Sequence, residues 1–217
     1  MADELVLYSY FRSSAAYRVR IALHLKNMPY RIEPVHLLRN GGEQRASHYL
    51  AVNPEGLVPT LHHGAVTLTQ SLAIIEYLEE LVPTPPLLPA APADRAWVRA
   101  LALAVACDIH PVNNLRVLQY LQAELGATDA AKQAWYQHWV QLGLAAFEAH
   151  LAQRPASRFC FGDTPTLADC CLIPQLFNAR RFGCDLTRLP RILAIEAQCQ
   201  ALPAFVAAAP EQQPDAA

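Results

Sequence analysis

The stretch YFRSSAAYRVRIAL, residues 10–23, sets Arg12, Ser13 and Ser14 where an alternating apolar run gives way to helical spacing. A hydroxyl at a helix start caps free backbone N–H groups, and that end carries about half a positive charge that favours anions. Two readings follow. Either the serines are plain caps, or one of them also points its O–H at a thiolate supplied from outside the chain, drawing that thiol's pKa down from about 8.5. The chain has six cysteines, Cys107, Cys160, Cys170, Cys171, Cys184 and Cys199, and none stands at this junction. They form no C-x-x-C pair and have no histidine at zinc-finger spacing, so no metal site or dithiol redox centre is expected, and buried free thiols are.

Other polar residues sit where chemistry is possible. Gln70 and Ser71 precede a helical run, where hydroxyl, backbone N–H and helix end together suit a carboxylate. In DIHPVNNLRVL, His110 and Asn114 fall four apart on one helical face, and Pro111 bends the helix between them. Arg18 and Arg20 read as partners in structural ion pairs of the first helix. Thr166 to Asp169 has the form of a capping box and starts a buried helix. His62 and His63 read as surface residues at a hairpin tip.

The elements that must hold these groups are legible from periodicity. Residues 4–10 alternate as a strand, 14–26 recur at helical spacing, and 30–35 form a second strand. A short helix near 46–50 follows, then a hairpin around His63 and Gly64, then a helix over 71–81. The order β-α-β-α-β-β-α makes the first strands parallel and the last pair antiparallel. Prolines at 83, 85, 86, 89 and 92 cannot continue a helix, so the spacing predicts an α/β domain over 1–84 and a stiff linker over 85–92. Helical patterns over 94–125, 129–153, 166–181 and 189–202 predict an all-α domain over 93–209, and 210–217 reads as a disordered tail.

Composition narrows the class. A net charge of −2 with 17% charged residues offers no broad basic surface, which argues against nucleic acid. No stretch approaches the ~20 apolar residues that span a bilayer, and the amino end lacks a basic-then-apolar leader, so a cytoplasmic protein with no membrane partner is expected. The apolar share of 53% suits a helical protein with an extensive core and a subunit interface.

Three motifs in order, SSAAYRVRIALHLK, NPEGLVPTL and TQSLAIIEYLEE, resemble the zeta-class glutathione transferases, the family of maleylacetoacetate and maleylpyruvate isomerases. The similarity runs from Leu5 to about Pro210 and includes GDTPTLADCCLIPQ. It implies a thioredoxin-like α/β first domain, an all-helical second domain, a homodimer, and glutathione as cofactor. By resemblance, Ser13 or Ser14 stabilises the glutathione thiolate, with Ser13 preferred because it is nearer the strand. Ala15 stands where the family motif has cysteine and Tyr17 where it has tryptophan, which leaves the thiol chemistry to glutathione. The resemblance gives a cis Val58–Pro59 bond facing the cysteinyl portion, Gln70 and Ser71 on the γ-glutamyl carboxylate, and Gln44 at the glycine end. It also places His110, Asn114 and Arg116 beside glutathione.

The substrates this family isomerises carry two carboxylates, which ask for at least two well-placed cations. Arg12, Arg116, Arg180 and Arg181 are the candidates. Thiolate addition to the conjugated double bond, rotation and elimination would convert the cis form to the fumaryl form, with Arg12 stabilising the developing negative charge. Two other readings stay open: a transferase that conjugates or dehalogenates small electrophiles, and a non-catalytic interaction protein on the same fold.

Overall fold

The alternating start becomes β1 (Leu5–Ser9), in which Leu5, Leu7 and Ser9 point inward and Val6 and Tyr8 are half-buried. It leads to α1 (Ser14–Leu25), β2 (Tyr30–Pro34), α2 (Ser47–Leu50), β3 (Thr60–His63), β4 (Val66–Thr69) and α3 (Ser71–Leu81). The sheet order is β2-β1-β3-β4, with β1 and β2 parallel and β3 antiparallel to both of its neighbours. Register sets Leu7 opposite Ile32 on one side and Leu61 on the other. Helices α1 and α3 pack against each other, and Leu7, Ile21, Leu61, Ile74 and Leu78 are buried completely. This is the thioredoxin-like arrangement that the resemblance implies.

The computed structural model describes residues 4–216, and its contacts fall into two units, residues 4–87 with 200–216, and residues 88–199. The second unit is built from α4 (Pro92–Leu103), α5 (Leu115–Ala123), α6 (Asp129–Ala152), α7 (Leu167–Arg181) and α8 (Pro190–Gln200). Helix α7 is buried from Leu167 to Leu176. Its capping box is formed as the sequence suggests: Asp169 accepts from the Thr166 N–H, the Thr166 hydroxyl and the Cys160 N–H, each at 2.8 Å. Burial pushes the Asp169 carboxyl up, against the pull of those donors. Among the described residues no helix is long and apolar enough to cross a membrane.

Several expectations need correcting. The helical run over 94–125 is broken, because α4 passes into a π-helical turn at Ala104–Ile109 and a 3₁₀ turn at Pro111–Asn113 before α5 begins. Pro111 has no N–H to continue the ladder. Pro203 likewise separates α8 from α9 (Pro203–Ala208). The segment from 200 onward belongs with the first unit, where α9 packs on α1. The tail expected to be disordered forms a 3₁₀ turn at Pro210–Gln212 and then meets the β1–α1 junction, where Asp215 Oδ2 accepts from the Phe11 N–H at 2.9 Å.

Arg20 is no ion-pair partner on a helix surface: it is fully buried and donates to Ala208 O (3.0 Å), Ser9 Oγ (3.1 Å) and Phe11 O (2.9 Å). Burial pushes its pKa down to about 10, opposed by the nearby Tyr30, Tyr17 and Asp215. Arg18 is also buried, with Nη1 on the Ser71 hydroxyl. His63 is half-buried and bonded to Tyr77 Oη at 2.7 Å, so it is held in place by α3.

Candidate functional site

Ser13 is the N-cap of α1, in extended backbone conformation, and its Oγ accepts from the Ala16 N–H at 3.2 Å. The plain-cap reading therefore holds. The same hydroxyl keeps its own hydrogen for a second partner, since capping uses only a lone pair. Ser13 is half-buried, Ser14 is 4% exposed, and Ala15 follows half-buried. The loop before them is fastened at Ser9 and Phe11 by Arg20 and at the Phe11 N–H by Asp215. Arg12 is exposed, with its guanidinium carbon 4.7 Å from the Phe11 ring centre.

The other candidate residues of this unit lie on further segments. Val58 packs in one cluster with Tyr10, Phe11, Val35 and Tyr49. The Val58–Pro59 bond is cis, and so is Thr84–Pro85, which the sequence reading did not single out. The turn before Val58 is shaped by Asn53, fully buried, whose Oδ1 accepts from the Glu55 N–H (3.0 Å) and whose Nδ2 donates to Leu57 O (2.8 Å). Tyr49 donates to the same carbonyl at 2.6 Å. Sequence reasoning missed Asn53 and Tyr49; the Asn-Pro-x-Gly turn chemistry was the available signal.

Gly56 lies against Gln44, so near that a Cβ there would stand 3.2 Å from the Gln44 carbonyl oxygen, and its φ of +61° suits glycine. Gln44 is 7% exposed, and its Oε1 has no hydrogen-bond partner among the described residues. An orphaned buried amide end is uncommon and points to a missing partner. Gln70 is the N-cap of α3 with φ +67°, a left-handed conformation rare for a residue with a side chain and typical of functional positions. Its side chain does not cap the helix but reaches Glu55, at 3.1 Å. Ser71 opens α3, is 6% exposed, and accepts from Arg18.

Within the first unit, Val58 packs with Tyr10 and Phe11, Gln70 reaches Glu55 in the turn before Val58, Gly56 of that turn lies against Gln44, and Ser71 is bonded to Arg18 of α1. The amino ends of α1 and α3, where Ser13 and Gln70–Ser71 stand, each carry partial positive potential. No cysteine lies in residues 4–87 or 200–216.

In the helical unit, Asn114 is the N-cap of α5, its Oδ1 accepting from the Arg116 N–H at 3.1 Å, and its Nδ2 lies 3.5 Å from His110 Nε2. Asn113, which the sequence reading left aside, is 7% exposed with neither polar side-chain atom partnered among the described residues. Arg116 is exposed. Arg180 is paired bidentately with Glu196 along one guanidinium edge, Nε to Oε1 at 3.1 Å and Nη2 to Oε2. Arg180 thus already holds one carboxylate within the helical unit. Arg181 is exposed, lying over the Phe182 ring at 5.1 Å.

Comparison with known proteins agrees with this architecture. Residues 12–81 match the family described as glutathione S-transferase, N-terminal domain, and residues 129–205 match glutathione S-transferase, C-terminal domain. The chain is 52% identical over 212 residues to a probable maleylacetoacetate isomerase of Vibrio cholerae serotype O1, covering 98% of each protein. Among solved structures, the holo form of a maleyl pyruvate isomerase, described as a bacterial zeta-class glutathione S-transferase, superposes with a TM-score of 0.95 at 52% identity, covering 98% of this chain and 100% of that one. A maleylacetoacetate isomerase from Anaeromyxobacter dehalogenans 2CP-1, with glutathione in its active site, gives 0.89 at 43% identity over 100% of this chain and 99% of that one. Fold, motif order and full-length similarity agree: the chain belongs to the glutathione S-transferase family, in its zeta class.

Proposed function

We propose that the protein is a glutathione-dependent cis–trans isomerase that converts maleylpyruvate or maleylacetoacetate to the fumaryl isomer. The observation that carries this reading is a hydroxyl-capped helix start, with a spare O–H, in a unit that contains no cysteine of its own. Such a site suits a thiolate brought by a cofactor. Bound glutathione would supply a thiolate that adds reversibly to the conjugated double bond, so that the bond can rotate before the sulfur leaves.

The residues present fit that cofactor. Ser13 would donate its free O–H to the sulfur while the α1 amino end lowers the thiol's pKa, with Ser14 buried behind it and Ala15 leaving space. Val58, ahead of Pro59, would offer its backbone to the cysteinyl portion. Ser71 and the first N–H groups of α3, with Gln70, would take the γ-glutamyl carboxylate. The orphaned end of Gln44 becomes a donor on a half-turn of its amide, because oxygen and nitrogen have the same shape there, and would then meet the glycine carboxylate.

Arg12 would stabilise negative charge appearing on the substrate's carbonyl oxygen, and Arg116 and Arg181 would hold its carboxylates. By the family resemblance, His110 and Asn114 would also contribute to binding. With Arg180 bound to Glu196, Arg181 is the better candidate of the two. We infer a homodimer from the same family reading, and a reducing, cytoplasmic setting from six free cysteines.

The test is the ultraviolet absorbance of the cis substrate. Its loss should require both purified protein and glutathione, and turnover of the two substrates by one preparation decides between them. Isomerisation without glutathione, or its absence with glutathione present, would refute the assignment.

A further inference from the structure

Resting on the glutathione reading above, we propose that Arg18 is a positioning residue that makes the α3 amino end selective for a ligand bearing an α-amino-acid carboxylate. Arg18 lies in α1 at 2% exposure, and its Nη1 donates to Ser71 Oγ at 3.2 Å. A guanidinium has only donors, so the serine oxygen accepts, and the Ser71 hydrogen must point to some other acceptor. That hydrogen sits at the first residue of α3, beside N–H groups that the Gln70 side chain leaves uncapped because it turns to Glu55. A carboxylate placed there receives the hydroxyl and the helix end together.

A helix start needs no guanidinium. Behind a hydroxyl that binds an anion the arrangement gains a purpose, since a charged donor on the oxygen polarises the O–H and strengthens its bond to the anion. Arg18 does not touch the ligand; it acts through Ser71. Its effect therefore falls on affinity for the γ-glutamyl end and not on the sulfur at the start of α1.

Isothermal calorimetry on Arg18→Met, Arg18→Lys, Ser71→Ala and the Arg18→Met/Ser71→Ala double variant tests this. Each would be titrated with glutathione and with cysteinylglycine, which keeps the thiol and lacks the γ-glutamyl carboxylate. Arg18→Met should weaken glutathione binding roughly tenfold or more and change cysteinylglycine binding less than twofold. Arg18→Lys should lose at least threefold, because an ammonium point charge does not reproduce the fixed fork. The double variant should bind glutathione little worse than Ser71→Ala. In turnover, KM for glutathione should rise much more than kcat falls.

A purely structural arginine would weaken both ligands alike or neither, and either result overturns the proposal. If Arg18→Met fails to fold, Arg18→Lys decides by the same comparison. A wild-type protein that binds no glutathione overturns the functional assignment together with this inference. Wild-type binding matched within twofold by the Arg18 variants overturns this inference alone.

Discussion

Replacing Arg20 with methionine should loosen both the fold and the loop that presents Ser13. The guanidinium donates three well-formed hydrogen bonds, to Ala208 O, Ser9 Oγ and Phe11 O, at 3.0, 3.1 and 2.9 Å. Charge-assisted bonds of this kind contribute roughly 1.5–3 kcal/mol each. Against them stands desolvation, which pushes the pKa down to about 10, a fall that corresponds to about 3 kcal/mol. Methionine recovers that cost but strands two buried carbonyls, so a net loss of about 3–5 kcal/mol is expected, as when one partner of a buried charged contact is removed. For a chain of this size that lowers the melting temperature by roughly 10 °C.

Urea unfolding with an unchanged slope measures the loss, and hydrogen exchange locates it. Amides in 203–213 and in the 10–13 loop should exchange faster, while those of α7 keep their relative protection. The pH dependence has a definite sign. Above about 10 the unfolded chain binds more protons at this position than the folded one, so wild-type stability relative to the variant rises with pH there. It is flat below that pH. A loss under about 1 kcal/mol, or unchanged exchange in 203–213, would refute the reasoning.

Ser13→Ala should cost about 1 kcal/mol of stability through the lost cap and should raise the pKa of bound glutathione's thiol, read as thiolate absorbance against pH; an unperturbed thiol would exclude Ser13 as its donor. Under native conditions iodoacetamide should label Cys107 first, because it is the exposed thiol while Cys160, Cys184 and Cys199 are buried and their pKa values are raised by desolvation; mass spectrometry of the early adducts checks this. Gly143→Ala should destabilise by roughly 1–3 kcal/mol, because the new Cβ would stand 2.3 Å from Ile109 Cγ1 in the π-helical turn before His110; a melting temperature equal to wild type would show that the turn gives way freely.

Periodicity was enough to read the first unit, because each strand and helix there carries its own apolar pattern and its own cap. The site segments were legible for the same reason, Ser13 and Gln70 both standing at changes of period. What escaped was everything that depends on contact between distant parts of the chain. Arg18 and Arg20 look like surface helix charges in a sequence, and only the packing of α3 and α9 on α1 turns them inward. Asn53 acts through a turn it shapes for residues four further on. The fork of Arg180 is filled by Glu196, a pairing no spacing rule announces.

Helix α9 and the residues after it complete a unit whose other parts precede residue 88. During synthesis, then, the strands and helices of residues 4–87 emerge from the ribosome well before the segment that supplies the Ala208 carbonyl and the Asp215 carboxylate. The continuous stretch 88–199 has all its own partners first. Assembly must therefore hold the amino-terminal half unfinished, with the Arg20 donors on water, until the intervening helices have been made.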